Sequence, residues 1–307
     1  MENILNLLPE TISSEIRQAM KNKRFQPQEI RLRMNQPVEL NDGTNIIWLF
    51  KTRLTQSEAL LFLNRISEYS MYRLEEELRQ GYITISGGHR IGISGEVIVE
   101  NGSVKAIKHV SSFNIRLATD MVGFTKPYLS YIYDSSLKNS LIIGPPQSGK
   151  TTFLRDIARY LSGGGVFKRT FKTAIVDERS EICASVNGVP QHHFHSRVDV
   201  MDKCPKSEGM MMLVRSMSPE VIIVDEIGSE KDVQALMETI HAGVCIICTV
   251  HGRDLEEVKQ RPALLPLFRA NVFDRFFVLS NQKKAGDVTD ILDQHGRTIL
   301  KQRVNSL

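Results

Sequence analysis

One segment constrains this chain more than any other: Gly144-Pro-Pro-Gln-Ser-Gly-Lys-Thr151. It matches G-x-x-x-x-G-K-[ST] at every fixed position, follows the apolar run Leu141-Ile-Ile143 and opens a stretch of helical pattern at 150–161. A chance match in a chain of this length is on the order of one in a hundred, and the strand-before, helix-after setting lowers that further. A strand that turns directly into a helix N-terminus aims backbone N–H groups and the positive end of the helix dipole at an anion. The segment therefore implies binding of ATP·Mg²⁺ by Gly144, Pro145, Pro146, Gln147, Ser148, Gly149, Lys150, Thr151 and Thr152. Pro145 and Pro146 lack an N–H, so the phosphate donors must come from Gln147 through Thr151. Lys150 is expected at the β- and γ-phosphates, and the Thr151 hydroxyl on Mg²⁺.

The surrounding pattern predicts an α/β domain. Strands at 140–143, 173–177, 221–225 and 244–250 alternate with helices at 150–161, 206–217 and 229–241, and 276–279 adds a further strand. Such alternation implies a mostly parallel sheet with helices on both faces. The strands are continuous apolar runs, as expected when both faces are covered.

The first part of the chain reads as a smaller α+β domain. Leu8, Ile12, Ile16 and Met20 recur every fourth residue and predict an amphipathic helix, with Pro9 near its start. Residues 29–34 alternate strictly, putting Ile30, Leu32 and Met34 on one strand face and Arg31 and Arg33 on the other. Thr55-Gln-Ser-Glu58 is a capping-box pattern that predicts a long helical stretch ending near Gly81. Short strands are expected at 82–86, 90–94, 96–100, 104–109 and 112–117, with a hairpin turn at Asn101-Gly102. The predicted domains are 1–122 (N-terminal α+β), 123–282 (P-loop ATPase domain) and 283–307 (a polar, weakly patterned C-terminal tail).

Two strands end in paired acids. Val221-Ile-Ile-Val-Asp225-Glu226 and Thr173-Ala-Ile-Val-Asp177-Glu178 both deliver carboxylates to the ligand edge of an open α/β sheet. Asp225 is expected in the Mg²⁺ shell, and Glu226 is placed to polarise the attacking water. Asp177 and Glu178 are candidates for the same edge. Thr249-Val-His251-Gly252 closes another strand there, where His251 could sense a γ-phosphate by hydrogen bonding. A strand ending in solvated acids, or a surface loop histidine, is the ordinary reading of each segment alone; their company with Gly144–Thr151 changes it.

The remaining chemistry-bearing residues read as structural. Cys245 and Cys248 form a C-x-x-C inside an apolar strand, where residues three apart face opposite ways and share neither a metal nor a disulfide easily. With Cys183 and Cys204 they make four cysteines, too few for a disulfide scaffold. Gln191-His-His-Phe-His195 fits no standard zinc spacing and reads as part of a long loop at 187–204. Of 307 residues, 39 are Lys or Arg and 35 Asp or Glu; the net charge of +4, with no interleaving of aromatic and basic residues, argues against a nucleic-acid platform. No apolar run approaches the roughly 18 residues of a spanning helix, and the N-terminus lacks the basic start of a signal peptide. The expectation is a cytoplasmic protein, held at a membrane, if at all, by partners.

Taken together these residues resemble the secretion ATPases of the type II/type IV pilus class. The counterparts are the P-loop Gly144–Thr151, an acidic box at 175–181, the stretch Leu213-Val-Arg-Ser-Met-Ser-Pro-Glu-Val-Ile-Ile-Val-Asp-Glu226 and a histidine box at 248–252. A narrower resemblance, to a sporulation family of endospore formers, rests on Glu29-Ile-Arg-Leu-Arg33, Gly88-His-Arg-Ile-Gly92, Ser94-Gly-Glu96, Asn114-Ile-Arg116, Asp199-Val-Met-Asp202, Pro205–Met210 and Arg215–Pro219 through Asp225–Gly228. It spans roughly residues 25–280. The resemblance implies a RecA-like fold, a homo-hexamer, and arginines lent by one subunit's N-terminal domain to its neighbour's nucleotide, with Arg116 and Arg90 as candidates. It also implies membrane-embedded partner proteins and work at the cytoplasmic face, energising a channel between mother cell and forespore. The class carries Glu-Asp where this chain has Asp177-Glu178, so the choice of general base among Glu226, Glu178 and Asp177 stays open. A RecA-like nucleic-acid ATPase and a nucleotide-switched structural ring are the rival functions.

Overall fold

Alternation at Glu29–Arg33 becomes strand β1 of an antiparallel sheet in the computed structural model, with Ile30 and Leu32 fully buried. Arg31 and Arg33 occupy the other face, each beside a carboxylate, Glu29 at 3.2 Å and Glu39 at 2.7 Å. The structure describes residues 1–21, 25–67, 81–100, 102–118, 121–163, 165, 167–281 and 286–300. The chain divides into two units, Met1–Thr119 and Asp120–Leu307.

In the first unit, β2 (Pro37–Asn41), β3 (Ile46–Arg53), β4 (Tyr82–Ile85), β5 (His89–Glu100) and β6 (Ser103–Arg116) join β1 in the order β3-β2-β1-β6-β5-β4. One face packs on helices α1 (Glu2–Leu7), α2 (Glu10–Lys21) and α3 (Gln56–Ile66) around Leu5, Ile12, Ile16, Phe62, Ile91 and Ile115. The expected amphipathic helix is α2, and a further helix not expected, α1, precedes it. Leu8 is extended (ψ 155°) because Pro9 disfavours helical geometry in the residue before it. Thr55 caps α3 with the reciprocal bonds of a capping box. The rest of the helical stretch expected up to Gly81 lies outside the described residues. The four short strands expected at 90–117 are two long ones, kinked at bulges. Gly95 sits at one of them, where a Cβ would fall 1.9 Å from the His109 carbonyl oxygen. Glu100 pairs with Ser103 across the expected hairpin turn, and Gly102 has φ +77°; Asn101 lies outside the described residues. Strands β2 and β3 were not expected.

The second unit is built on a sheet whose described strands run β13-β12-β7-β11-β10-β8-β9. They are β7 (Ser140–Gly144), β8 (Thr173–Asp177), β9 (Val198–Asp202), β10 (Val221–Val224), β11 (Cys245–His251), β12 (Arg275–Ser280) and β13 (Asp287–Asp293). All pairings are parallel except β12–β13. Successive residues of each strand feed two cores, as side chains that alternate across a sheet must. Ile142, Ile175, Ile223 and Ile247 meet Phe153, Leu154 and Ile157 of α5 (Lys150–Gly163). Leu141, Val176, Val224 and Cys248 meet Met210 of α6 (Lys206–Met217) and Leu236 of α7 (Glu230–His241). Short helices α4 (Leu129–Ile132), α8 (Leu255–Lys259) and α9 (Leu265–Arg269) complete the unit's described α-helices, and 3-10 turns lie at Lys126–Tyr128 and Pro262–Leu264. Cys245 and Cys248 fall on opposite faces, both thiols free, with burial pushing their pKa values well up.

Two expectations need correction. The stretch 283–307, read as a tail, contributes β13, which pairs with β12 from Arg275↔Asp293 to Ser280↔Asp287. The stretch 187–204, read as a loop, contains β9, paired with β8 along its whole length. In both strands acids interrupt the apolar alternation at half-buried positions, which masks the period.

Candidate nucleotide site

The sheet order places β11 between β7 and β10, so the P-loop after β7 and the acids after β10 flank the end of β11. The loop turns tightly. Gln147 and Gly149 have φ of 63° and 88°, and a Cβ on Gly144 would lie 2.3 Å from Ser148 Oγ. That hydroxyl is buried without a hydrogen-bond partner, an orphaned donor inside a loop that opens onto the N-terminus of α5. Such an arrangement fits an anionic ligand. From the far side, Gly286 N–H donates to Ser148 O at 2.7 Å and Asn281 Nδ2 to Pro146 O at 3.3 Å.

Lys150 is buried, and its ammonium donates to Gly144 O (2.8 Å) and Pro145 O (2.9 Å). Its third contact is His251 Nδ1 at 3.1 Å. An ammonium only donates, so Nδ1 accepts and the imidazole proton sits on Nε2. Nε2 faces Glu226 Oε1 at 3.1 Å. Burial lowers the Lys150 pKa from its ordinary value, and the negative charges of Asp225 and Glu226 oppose that shift.

Asp225 takes one hydroxyl on each oxygen: Thr151 Oγ1 donates to Oδ2 at 3.0 Å and Thr249 Oγ1 to Oδ1 at 2.6 Å. Thr249 Oγ1 also accepts from Glu226 N–H at 2.8 Å. It thereby fixes the backbone of Glu226, whose φ of 39° lies in the left-handed region. The hydroxyl of Thr151 and the carboxylate of Asp225 are hard oxygen donors side by side, a set that fits Mg²⁺ completed by phosphate and water. Thr249 is a site residue that sequence reading missed, although it lies two positions before His251.

The second acidic pair behaves differently from expectation. Asp177 is only 1% exposed, and its oxygens accept the N–H groups of Glu181 (2.8 Å) and Cys183 (2.7 Å). Burial raises its pKa to about 6 against those hydrogen bonds. Its carboxylate ties down the loop that follows β8. Glu178 accepts from Lys206 Nζ at the start of α6. The residue after this pair, Arg179, is the one that reaches the acids of β10: its Nη1 lies 3.2 Å from Glu226 Oε2. Sequence reading passed over Arg179; its position right after Asp177-Glu178 was the available signal.

Arg90 and Arg116, far apart in sequence, are direct cross-strand neighbours on β5 and β6 of the first unit. Arg116 also pairs in register with Glu29, and the Arg90 guanidinium lies 4.9 Å from the Tyr82 ring centre. Like charges directly opposite repel, and Glu29 beside Arg116 and the Tyr82 ring beside Arg90 offset that repulsion. The histidine-rich segment is strapped down by its backbone: Gln191 and His192 N–H donate to Cys183 O, and Arg159 Nε donates to His193 O at 2.9 Å. Among the described residues, no group of three or more His, Cys, Asp or Glu side chains is arranged to hold a metal, and no helix is long and apolar enough to cross a membrane.

Fold and loop geometry define a class, the α/β P-loop fold of secretion and pilus ATPases. The ATPase DotB of Legionella pneumophila superposes with a TM-score of 0.58 at 15% identity, covering 88% of this chain and 76% of that one. The pilus retraction motor PilT, solved with bound ADP, gives a TM-score of 0.61 at 16% identity, covering 86% and 76%. Within that class the chain belongs to the family described as sporulation stage III, protein AA, whose model matches residues 1–299. Stage III sporulation protein AA of Bacillus subtilis (strain 168) is 48% identical over 299 residues, 97% of each chain.

Proposed function

We propose that this chain is a Mg²⁺-dependent ATPase, the motor of a secretion-like assembly that energises a channel between mother cell and forespore during endospore formation. The observation that carries the reading is the convergence on the end of β11 of a P-loop lysine, a metal-type hydroxyl–carboxylate pair and a second carboxylate: Lys150, Thr151, Asp225 and Glu226. Gly144–Thr152 takes the triphosphate, with N–H groups from Gln147 onward and Lys150 against the β- and γ-phosphates. Thr151 and Asp225 hold Mg²⁺, which when bound neutralises charge on the phosphate oxygens. Glu226 is the base. Its carboxylate takes a proton from water as the water oxygen bonds to the γ-phosphorus; the bond from that phosphorus to the β–γ bridging oxygen breaks, giving ADP and inorganic phosphate. His251, with its proton on Nε2, reports the presence of the γ-phosphate.

Likeness to the pilus and secretion ATPases supports a homo-hexamer at the cytoplasmic face of a membrane, docked on membrane-embedded partner proteins. The N-terminal unit of one subunit then lends Arg116 and Arg90 to its neighbour's nucleotide. The test is ATP turnover against protein concentration with sizing in parallel. Activity per chain rises with concentration as subunits assemble, and Lys150→Ala abolishes tight nucleotide binding. Mixtures of Arg116→Ala and Lys150→Ala chains, each inactive alone, recover some turnover, because some interfaces pair an intact pocket with an intact arginine. Unchanged nucleotide affinity in Lys150→Ala overturns the site, and concentration-independent turnover by a monomer overturns the shared-site arrangement.

A further inference from the structure

Four groups stand in a line at the nucleotide site: Arg179, Glu226, His251 and Lys150, joined by contacts of 3.2, 3.1 and 3.1 Å. Positive and negative charges alternate through a neutral imidazole, and the carboxylate in the middle is claimed from both sides. A carboxylate with a guanidinium on one oxygen and an imidazole N–H on the other has both oxygens occupied, and an attacking water reaches it only by displacing one of those contacts. Something must release Glu226 before it can serve.

The loop that carries Arg179 is built to hold a guanidinium in one place. Asp177 accepts the N–H groups of Glu181 and Cys183. Ser180, at φ 53°, donates its hydroxyl to Asp202 Oδ1 at 2.7 Å and accepts from Ser185 N–H at 3.1 Å. From beneath, Arg155 Nε and Nη2 donate to Ile182 O and Glu181 O at 2.6 and 2.7 Å. A non-glycine residue in the left-handed region persists only where its surroundings over-determine it, and such strain gathers at functional loops. Arg179 itself is 64% exposed at the end of this rigid support.

We propose that Arg179 is a γ-phosphate ligand supplied by the same subunit, and that it exchanges partners: it holds Glu226 in the nucleotide-free site and transfers to the γ-phosphate of ATP, freeing Glu226 as the base. The reading rests on the ATP site proposed above. A guanidinium binds a multiply charged phosphate in preference to a single carboxylate, through parallel N–H bonds at the same reach. The exchange couples two events that a hydrolase must keep together, arrival of the γ-phosphate and liberation of the base. ADP has no γ-phosphate and leaves the Arg179–Glu226 pair closed.

The test reads binding rather than turnover. Affinities for ADP and for a non-hydrolysable ATP analogue, each with Mg²⁺, are measured by displacement of a fluorescent nucleotide from the full-length protein. Arg179→Ala is expected to weaken the ATP analogue about 10- to 100-fold, the range for loss of a charged hydrogen bond, and to leave ADP within about twofold. Arg179→Lys, which keeps the charge and loses the fork, falls between. Glu226→Gln removes the competing carboxylate and strengthens the analogue in the wild-type background, but not when Arg179 is already Ala. Equal weakening of ADP and analogue by Arg179→Ala overturns the proposal, since Arg179 would then only shape the site. An unchanged preference for the analogue overturns it too, while loss of both ligands in Lys150→Ala leaves the ATP site standing. Absence of specific nucleotide binding by the unaltered protein overturns both.

Discussion

Strands β8 and β10 end in the same words, Ile-Val-Asp-Glu, and lie side by side in the sheet, yet their acids do different work. After β10, Asp225 accepts from Thr151 and Thr249, and Glu226 reaches His251. After β8, Asp177 folds back onto its own loop and Glu178 turns to Lys206. Sheet order explains the difference. β10 borders β11, whose end carries Thr249 and His251 and lies next to the P-loop strand, whereas β8 is one strand further out. An acid delivered one strand further from the P-loop becomes scaffold, and that scaffold presents Arg179 to the acid that stayed.

The comparison breaks most visibly at the two second acids. Glu226→Gln is expected to lower ATP turnover about 10²- to 10⁴-fold with nucleotide still bound, the range for loss of a positioned base. Glu178→Gln should leave turnover within a few-fold in the same assay. A large loss in the second variant and none in the first would reverse the assignment. The first acids sharpen the contrast through stability. Asp177→Asn puts an amide N–H against one of two backbone donors and should cost roughly 1–3 kcal/mol in denaturant melts. Nucleotide affinity should survive where the fold does. A third expectation concerns pH. The Asp177 pKa rises from an ordinary 3.8 to about 6, so the folded state holds this proton more tightly than the unfolded chain. Its contribution is therefore fully present below about pH 4 and is lost as pH rises to about 6. Asp177→Asn should remove that component of the slope in melts across this window. The smallest effect belongs to the Glu178–Lys206 pair: Glu178 is 39% exposed, which screens the pair, and Lys206→Met keeps the packed stem, so stability should change by at most about 1 kcal/mol.

The P-loop sheet was legible because its central strands are unbroken apolar runs separated by amphipathic helices, a pattern that admits few alternatives. What escaped was carried by residues whose local signal points elsewhere. Val198-Asp-Val-Met-Asp202 and Asp287–Asp293 interleave acids at half-buried edge positions, so neither shows a clean period. Ile46–Phe50 is apolar on both strand faces, a run that periodicity alone does not assign. The loop after β8 turns first on left-handed Ser180 and Ala184, where neither glycine nor proline marks the bend, before Asn187-Gly188 and Pro190 punctuate it further on. In the site, Lys150, Thr151, Asp225, Glu226 and His251 were found from motif spacing, and the structure brings them together. Thr249 and Arg179 were not found, because their roles depend on which strands become neighbours.

The P-loop strand has no neighbour from its own stretch of chain. β7 lies between Cys245–His251 on one side and Arg275–Ser280 on the other, and Gly286 closes over Ser148 from later still. During synthesis, Gly144–Thr151 therefore leaves the ribosome long before the strands that hold it. Until nearly the whole chain has emerged, the glycine-rich loop is an untethered end with no sheet to brace it, and the long-range pairings it waits for are the slow kind. The pocket around the P-loop is among the last things the growing polypeptide assembles, so a chain truncated between the end of the first unit at Thr119 and the start of β12 at Arg275 keeps every strand of the first sheet and lacks a strand that flanks the P-loop.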